Sequence, residues 1–200
     1  MRLGRSILAC IAASAMLFAS HHEARAPGAK GKAADEGAAQ AVKTGKEASR
    51  LLLKTLGGNM KKRMKAGGPA DALSFCSMKA AELTAEVDGR LGEKVSVKRV
   101  TLKPRNPANM AEGDEKEILE ALENLKRNSV VLPKYLLQKT ESGYKYYKPL
   151  LINKKVCLKC HGRNIAPALQ AEIKKIYPTD KATGYRMGDL RGAVVVTIEK

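Results

Sequence analysis

Six consecutive residues, Cys157-Leu158-Lys159-Cys160-His161-Gly162, bring two thiols and an imidazole together within a very short stretch of chain. Cys-x-x-Cys-His is the attachment signature of a c-type haem. Each thiol can form a thioether with one vinyl group of the porphyrin, and the two-residue gap lets both reach the same edge. The adjacent His161 then comes up beneath the iron as its proximal ligand. So short a pattern also arises by accident, so the rest of the chain has to agree with it.

The first residues do agree. Met1 to about Ala26 has the layout of a secretory signal: Arg2 and Arg5 are basic, Ile7 to Ala19 is apolar, and Ala24-Arg25-Ala26 is a small-x-small cleavage pattern. The apolar run is short for a bilayer span, which disfavours the alternative of an uncleaved anchor helix. Ile7-Leu8-Ala9-Cys10 resembles a lipoprotein box but falls before the apolar run ends, so lipidation is not expected. Covalent haem attachment is expected on the far side of a membrane. A periplasmic or otherwise exported location, reached by a cleaved signal peptide at 1–26, is therefore predicted.

Cleavage simplifies the ligand inventory. Of four Cys and three His, Cys10, His21 and His22 fall in the signal, leaving Cys76, Cys157, Cys160 and His161. A zinc site wants about four such ligands and would consume all of them. A thioredoxin-like pair wants a βαβ setting, which the flanking sequence does not offer. Bis-histidine ligation is excluded within one chain, and so is any histidine-dependent catalytic triad once His161 is spent on iron. Peroxidase-like chemistry would need an acid–base group beside an open distal position, and no residue stands out for it. An enzyme is not expected.

The chain is strongly basic, at +17, with 37 Lys and Arg against 20 Asp and Glu. Residues 1–26 carry three Arg and one Glu, so the remainder keeps +15. For an exported protein nucleic acid is not an expected partner. The charge points to an acidic redox or signalling partner, to peripheral contact with an anionic membrane surface, or to solubility alone. The six tyrosines all lie between Tyr135 and Tyr185, a bunching that predicts packing against a flat macrocycle or a small core.

The elements that must position these groups follow from periodicity and breakers. Pro27 to Asp35 is Gly-, Ala- and Lys-rich, and is expected to be a flexible tether. Ala41, Ala48, Leu52 and Leu56 predict a helix that Gly57-Gly58 breaks, with Asn59 capping a continuation up to Gly67-Gly68-Pro69; one kinked helix and two separate ones remain open. Ala70 to Asp88 is a better helix, with Leu73, Cys76, Ala80, Leu83 and Val87 on one face, so Cys76 should point inward. It is either a buried thiol or a second axial ligand to iron, and the residues alone leave both open. Val95 to Leu102 predicts a half-buried strand, and Pro104 and Pro107 force an extended segment after it. Asp114 with Glu117 predicts a capping box for a helix to Asn128, with Ile118, Leu122 and Leu125 inward. Leu136 to Thr140 and Tyr144 to Ile152 predict a hairpin leading into the motif. A helix over Ala168 to Tyr177, with Leu169, Ile173 and Ile176 inward, is stopped by Pro178. Ala193 to Ile198 predicts a central final strand. The expected class is α+β, an antiparallel sheet with helices grouped beside it.

A compact electron-carrier cytochrome c is mostly helical and places its motif near the N-terminus, with a downstream Met as distal ligand; here strands precede a late motif, and Met187 is the only downstream Met. Dispersed blocks carry a closer likeness: Ala72 to Cys76, Arg105-Asn106-Pro107-Ala108-Asn109, Tyr146-Tyr147-Lys148-Pro149-Leu150, the motif itself, Tyr177-Pro178, Asp180-Lys181-Ala182-Thr183-Gly184-Tyr185 and Gly188-Asp189-Leu190-Arg191-Gly192-Ala193. In these the chain resembles the Tll-like c-type haem family. The resemblance implies a PAS-like haem domain over 69–200, preceded by the tether and an N-terminal helix at 27–68. It also implies one haem c held through Cys157 and Cys160, with His161 proximal and Cys76 distal. Arg105, Lys148 and Arg191 become candidates for contact with the haem propionates. The family implies redox or gas sensing, of a diatomic gas for instance, with a separate partner taking the signal onward. Small-scale periplasmic electron transfer is the alternative.

Overall fold

The run Ala193-Val194-Val195-Val196 is apolar on both sides of a strand, which only a strand covered on both faces can afford. In the computed structural model, which describes residues 29–200 with side chains from residue 36, it forms the middle of the sheet. The signal expected at 1–26, with Cys10, His21 and His22, lies outside the described residues. The elements in order are α1 (Ala29–Ala66), α2 (Gly68–Gly89), β1 (Val95–Val100), α3 (Gly113–Arg127), β2 (Leu136–Lys139), β3 (Gly143–Leu151), α4 (Leu158–His161), α5 (Pro167–Ile176) and β4 (Leu190–Glu199). The sheet is antiparallel throughout, ordered β1-β4-β3-β2. The expected α+β, PAS-like class holds.

The two-residue period of the strands sends alternate side chains to opposite faces. On one face Val97, Tyr146, Val194 and Val196 pack with Ala48 and Leu52 of α1 and Val87 of α2. On the other, Val100, Tyr147, Ala193 and Val195 pack with Leu119 and Leu122 of α3. Four of the bunched tyrosines, Tyr135, Tyr144, Tyr146 and Tyr147, therefore belong to the sheet and its hairpin, with Tyr135 stacked on Tyr146 at 5.4 Å.

Local expectations were overruled where packing outweighs propensity. No tether occupies residues 29–35, since α1 already begins at Ala29, and it continues unbroken through Gly57-Gly58. Both glycines face open space. Asn59 does not cap; its Nδ2 donates to the Thr55 carbonyl at 2.9 Å, inside the helix. Each glycine costs about 1 kcal/mol of helix propensity, but α1 is anchored on both sides, by Ala48 and Leu52 on the sheet and by Arg63 over the Phe75 ring of α2. The capping box of α3 is absent as well: Glu112 occupies the N-cap with no side-chain bond. Asp114 instead takes Lys145 of β3 at 2.8 Å, and the buried Glu115 takes Lys98 of β1 at 2.9 Å. Leu119 replaces Leu125 on the inner face, and Leu125 is 39% exposed. After the extended Asn106, Pro107–Asn109 closes a single 3-10 turn whose Ala108 N–H donates to Asn106 Oδ1.

Gly45 shows how tightly α1 lies on the sheet, since a Cβ there would overlap the Tyr146 side chain. Ala in place of Gly45 should lower stability by about 2 kcal/mol through overpacking, despite better helix propensity. Gly58→Ala, facing open space, should raise stability by up to about 1 kcal/mol. Urea unfolding followed by circular dichroism checks both signs, and a stabilised Gly45→Ala would mean that α1 does not seat on Tyr146.

Candidate functional site

The antiparallel order β1-β4-β3 puts the end of β1, the end of β3 and the start of β4 at one edge of the sheet. Arg105 follows β1, the Cys157–Gly162 motif follows β3, and Arg191 opens β4. The motif runs through a 3-10 turn, Lys155–Cys157, into the one-turn α4. Cys157 and Cys160 are three apart and His161 is four from Cys157, so the three side chains share one side of the turn. Cys160 packs toward Leu73 of α2 and Leu169 and Ile173 of α5. Cys157 and Leu158 pack toward Ile152, Ala182 and Tyr185. Gly162 closes the turn with its N–H on the Leu158 carbonyl at 2.9 Å, and a Cβ there would stand 2.5 Å from that oxygen.

The loop before β4 wraps the motif. Tyr185 N–H donates to the His161 carbonyl at 2.9 Å and Gly184 N–H to the Gly162 carbonyl at 3.0 Å. Arg105 clamps the loop from the other side. Its Nη2 donates to the Cys160 carbonyl (2.6 Å), to Asp180 Oδ2 (3.1 Å) and to the Ala182 carbonyl (3.4 Å). Both side chains of that ion pair are largely buried, at 12% and 8% exposure. Arg191 Nη1 donates to Thr101 Oγ1 at 2.8 Å and to the Lys103 carbonyl at 3.2 Å, and its guanidinium lies over the Tyr185 ring.

These neighbours fix the tautomer and the charge of His161. Its Nδ1 lies 2.7 Å from the Ala182 carbonyl. A carbonyl only accepts, so Nδ1 carries the proton and Nε2 keeps its lone pair. Burial pushes the imidazole pKa down to about 3, and the Arg191 and Arg105 charges push the same way, so the ring is neutral. Cys76 of α2 faces this region half-buried, within electrostatic reach of Cys160. Burial raises its thiol pKa, while Arg99 and Arg105 pull it back down. Among the described residues no three His, Cys, Asp or Glu side chains are gathered closely enough to hold one metal ion.

The structure thus brings five of the seven expected residues, Cys157, Cys160, His161, Arg105 and Arg191, into one cluster, with Cys76 facing it from α2. Lys148 stands apart, half-buried on β3 opposite Val194. Sequence reasoning missed three contributors: the Ala182 carbonyl, the Asp180 carboxylate and Arg99. Arg99 lies on the face of Val95 and Val97 by strand alternation, and that alternation was its available signal. The buried Nε atoms of Arg99 and Arg105 have no hydrogen-bond partner. Two thiols and a neutral imidazole on one side, a third thiol facing them, and open guanidinium nitrogens beside them fit a c-type haem carrying two carboxylates.

The family model described as Tll0287-like matches residues 22–199. The chain belongs to the Tll0287-like family. Among solved structures, that of the cyanobacterial heme-protein Tll0287 is similar at a TM-score of 0.56 with 24% identity, over 82% of this chain and 96% of that one. No curated protein sequence matches. The Tll0287-like match takes in α1 together with the sheet and the motif, in keeping with the packing of Ala48 and Leu52 against the strands.

The clamp yields a stability prediction. Asp180→Ala leaves Arg105 buried without its carboxylate and the Ala182 N–H without its acceptor at 2.8 Å. The expected loss is about 3 kcal/mol or more, with Asp180→Asn losing less because its amide oxygen can still accept from Ala182. Denaturant unfolding of the full chain checks the order of the two variants, and equal losses would contradict the account.

Proposed function

We propose that this chain is an exported monohaem c-type protein, with haem c attached through Cys157 and Cys160 and with His161 and Cys76 as axial ligands. The observation that carries the reading is the Nδ1–Ala182 hydrogen bond, which leaves Nε2 free beside the two motif thiols on an imidazole that burial keeps neutral. Membership in the Tll0287-like family and the likeness to a heme-protein of the same fold support it. Bound haem would supply one-electron exchange and, at an open axial position, binding of a diatomic gas. The segment 1–26 would direct export.

The chain's own residues set the behaviour of this site. Ala182 and Arg105 hold the imidazole and the motif turn in place. Arg105 bonds the motif turn and the loop before β4, with its buried Nε left without a partner, and Arg191 bonds the segment after β1. Cys76 is the adjustable ligand. Burial favours its protonated Sγ, and a cation opposite it favours the thiolate. With haem bound, a lower positive charge opposite Cys76 would favour the protonated Sγ, and α2, which carries Cys76, would be the element to respond. A redox or gas sensor that hands its state to a protein partner follows from this; the basic surface suits an acidic partner or an anionic membrane.

The test is the absorption spectrum of protein made with the haem-attachment machinery, oxidised, then dithionite-reduced, then exposed to CO. The expected result is a covalent haem with a thiolate-type ferric spectrum that changes ligation on reduction and binds CO. Cys157→Ala with Cys160→Ala should abolish covalent attachment, and Cys76→Ala should alter the ferric spectrum while leaving attachment intact. A low-spin spectrum indifferent to CO would instead make the protein a small electron carrier. Absence of covalent haem would sink both readings.

A further inference from the structure

Three guanidinium groups stand at the motif end of the sheet, on Arg99, Arg105 and Arg191. The acceptors bonded to Arg105 and Arg191 include one carboxylate, Asp180; the others are backbone carbonyls and the Thr101 hydroxyl. Arg99 makes no side-chain hydrogen bond among the described residues, and its Nε is shut away from solvent without a partner. An enclosed guanidinium nitrogen with nothing to donate to is costly. Its position on the sheet says what it is placed for.

Arg99 pairs with Val194 of β4, and Val194 pairs on its other side with Lys148 of β3. The three residues form one cross-strand row, so Arg99 and Lys148 project from the same face, that of Val194 and α2. Two strand spacings separate them, about 10 Å at the backbone. Lys148 is half-buried and makes no ion pair among the described residues. Two cations on one row, one of them with an enclosed open donor, match a ligand with two carboxylates on short arms. An Arg fork is the residue suited to take a carboxylate in two parallel bonds.

We infer that Arg99, seconded by Lys148 across Val194, is the carboxylate-binding site of this domain and takes the propionates of the haem. This rests on the haem reading above. It assigns Arg99 a binding role, and it leaves Arg105 chiefly to hold the motif turn and Arg191 to tie the start of β4 to the segment after β1. The competing role for Arg99 is to serve the Cys76 thiolate, whose charge it also feels, and the test separates the two.

The test uses the full haem-loaded chain and compares Arg99→Gln, Arg99→Lys and Lys148→Gln with Arg50→Gln, an equal charge loss at an exposed position of α1. Each is made with Cys76 present and in the Cys76→Ala background. The midpoint potential is measured at pH 8, and the melting temperature in parallel. A carboxylate stripped of its cation stabilises the ferric state, so Arg99→Gln should move the midpoint to more negative values than Arg50→Gln does, in both backgrounds. Arg99→Lys should fall between wild type and Arg99→Gln, and Lys148→Gln should shift the same way, which keeps the test decisive if Arg99→Gln fails to fold. In the haem-free Cys157→Ala/Cys160→Ala chain, Arg99→Gln should leave the melting temperature unchanged or raise it. A shift seen only with Cys76 present would overturn the assignment in favour of the thiolate. A shift no larger than that of Arg50→Gln would overturn it as a net-charge effect. Wild-type protein that takes up no haem would sink the haem reading and this assignment together, whereas loaded wild type with an unshifted Arg99→Gln would sink the assignment alone.

Discussion

One buried guanidinium holds the site together. Arg105 Nη2 reaches the Cys160 carbonyl, the Asp180 carboxylate and the Ala182 carbonyl, joining the segment after β1, the motif turn and the loop before β4. A buried ion pair is weak support for stability, because desolvation of both partners offsets most of the attraction. Its value here is positional. Asp180 uses its second oxygen on the Ala182 N–H, and the Ala182 carbonyl in turn accepts from His161 Nδ1. The tautomer of the one described histidine is therefore fixed through a chain of contacts that begins at Arg105.

The clamp is within reach only because of strand order. With β4 between β1 and β3, two strands end and one begins at the same edge, so residues 105, 161 and 191 converge although far apart in sequence. The glycine at the start of β4 is part of that closeness. Gly192 has φ 149°, and a Cβ there would collide with the Val100 carbonyl oxygen, so β1 and β4 can meet at this edge only with a bare backbone. The hydrophobic faces on either side of β4 make the sheet a rigid base for the edge, with Val194 and Val196 covered by α1 and α2 and Val195 by α3.

Much of this was legible before the fold was known. Cys157, Cys160 and His161 announce themselves by spacing, the inner face of α2 by Leu73, Cys76 and Val87, and the central strand by an unbroken apolar run. What stayed hidden depends on distant partners. Gly57-Gly58 looks like a break, yet α1 is held by the sheet on one side and α2 on the other, and local propensity loses. Asp114 with Glu117 looks like a capping box, but Lys145 on β3 claims Asp114. Arg99 in an alternating strand looks like a solvated charge, although it shares the face of Val95 and Val97, the face that α1 and α2 cover. The Ala182 carbonyl has no side-chain signal at all.

The electrostatics of the edge treat its two facing ligand candidates differently. For His161, burial and the arginine charges act together, and both favour the neutral imidazole with a lone pair on Nε2. For Cys76, burial is the largest influence and keeps the proton on, while Arg99 and Arg105 pull it off. Metal ligation requires the deprotonated form of each group. His161 thus already has the form that could bind a metal, whereas at Cys76 burial and the arginine charges oppose each other and burial is the larger. His161 sits on a turn tied down by backbone hydrogen bonds on both sides. Cys76 sits on α2, where Leu73 packs against Leu169 and Ile173 of α5. A change of charge at this end of the sheet would therefore act differently on the two groups, because burial and the arginine charges push the imidazole one way and oppose each other at the thiol.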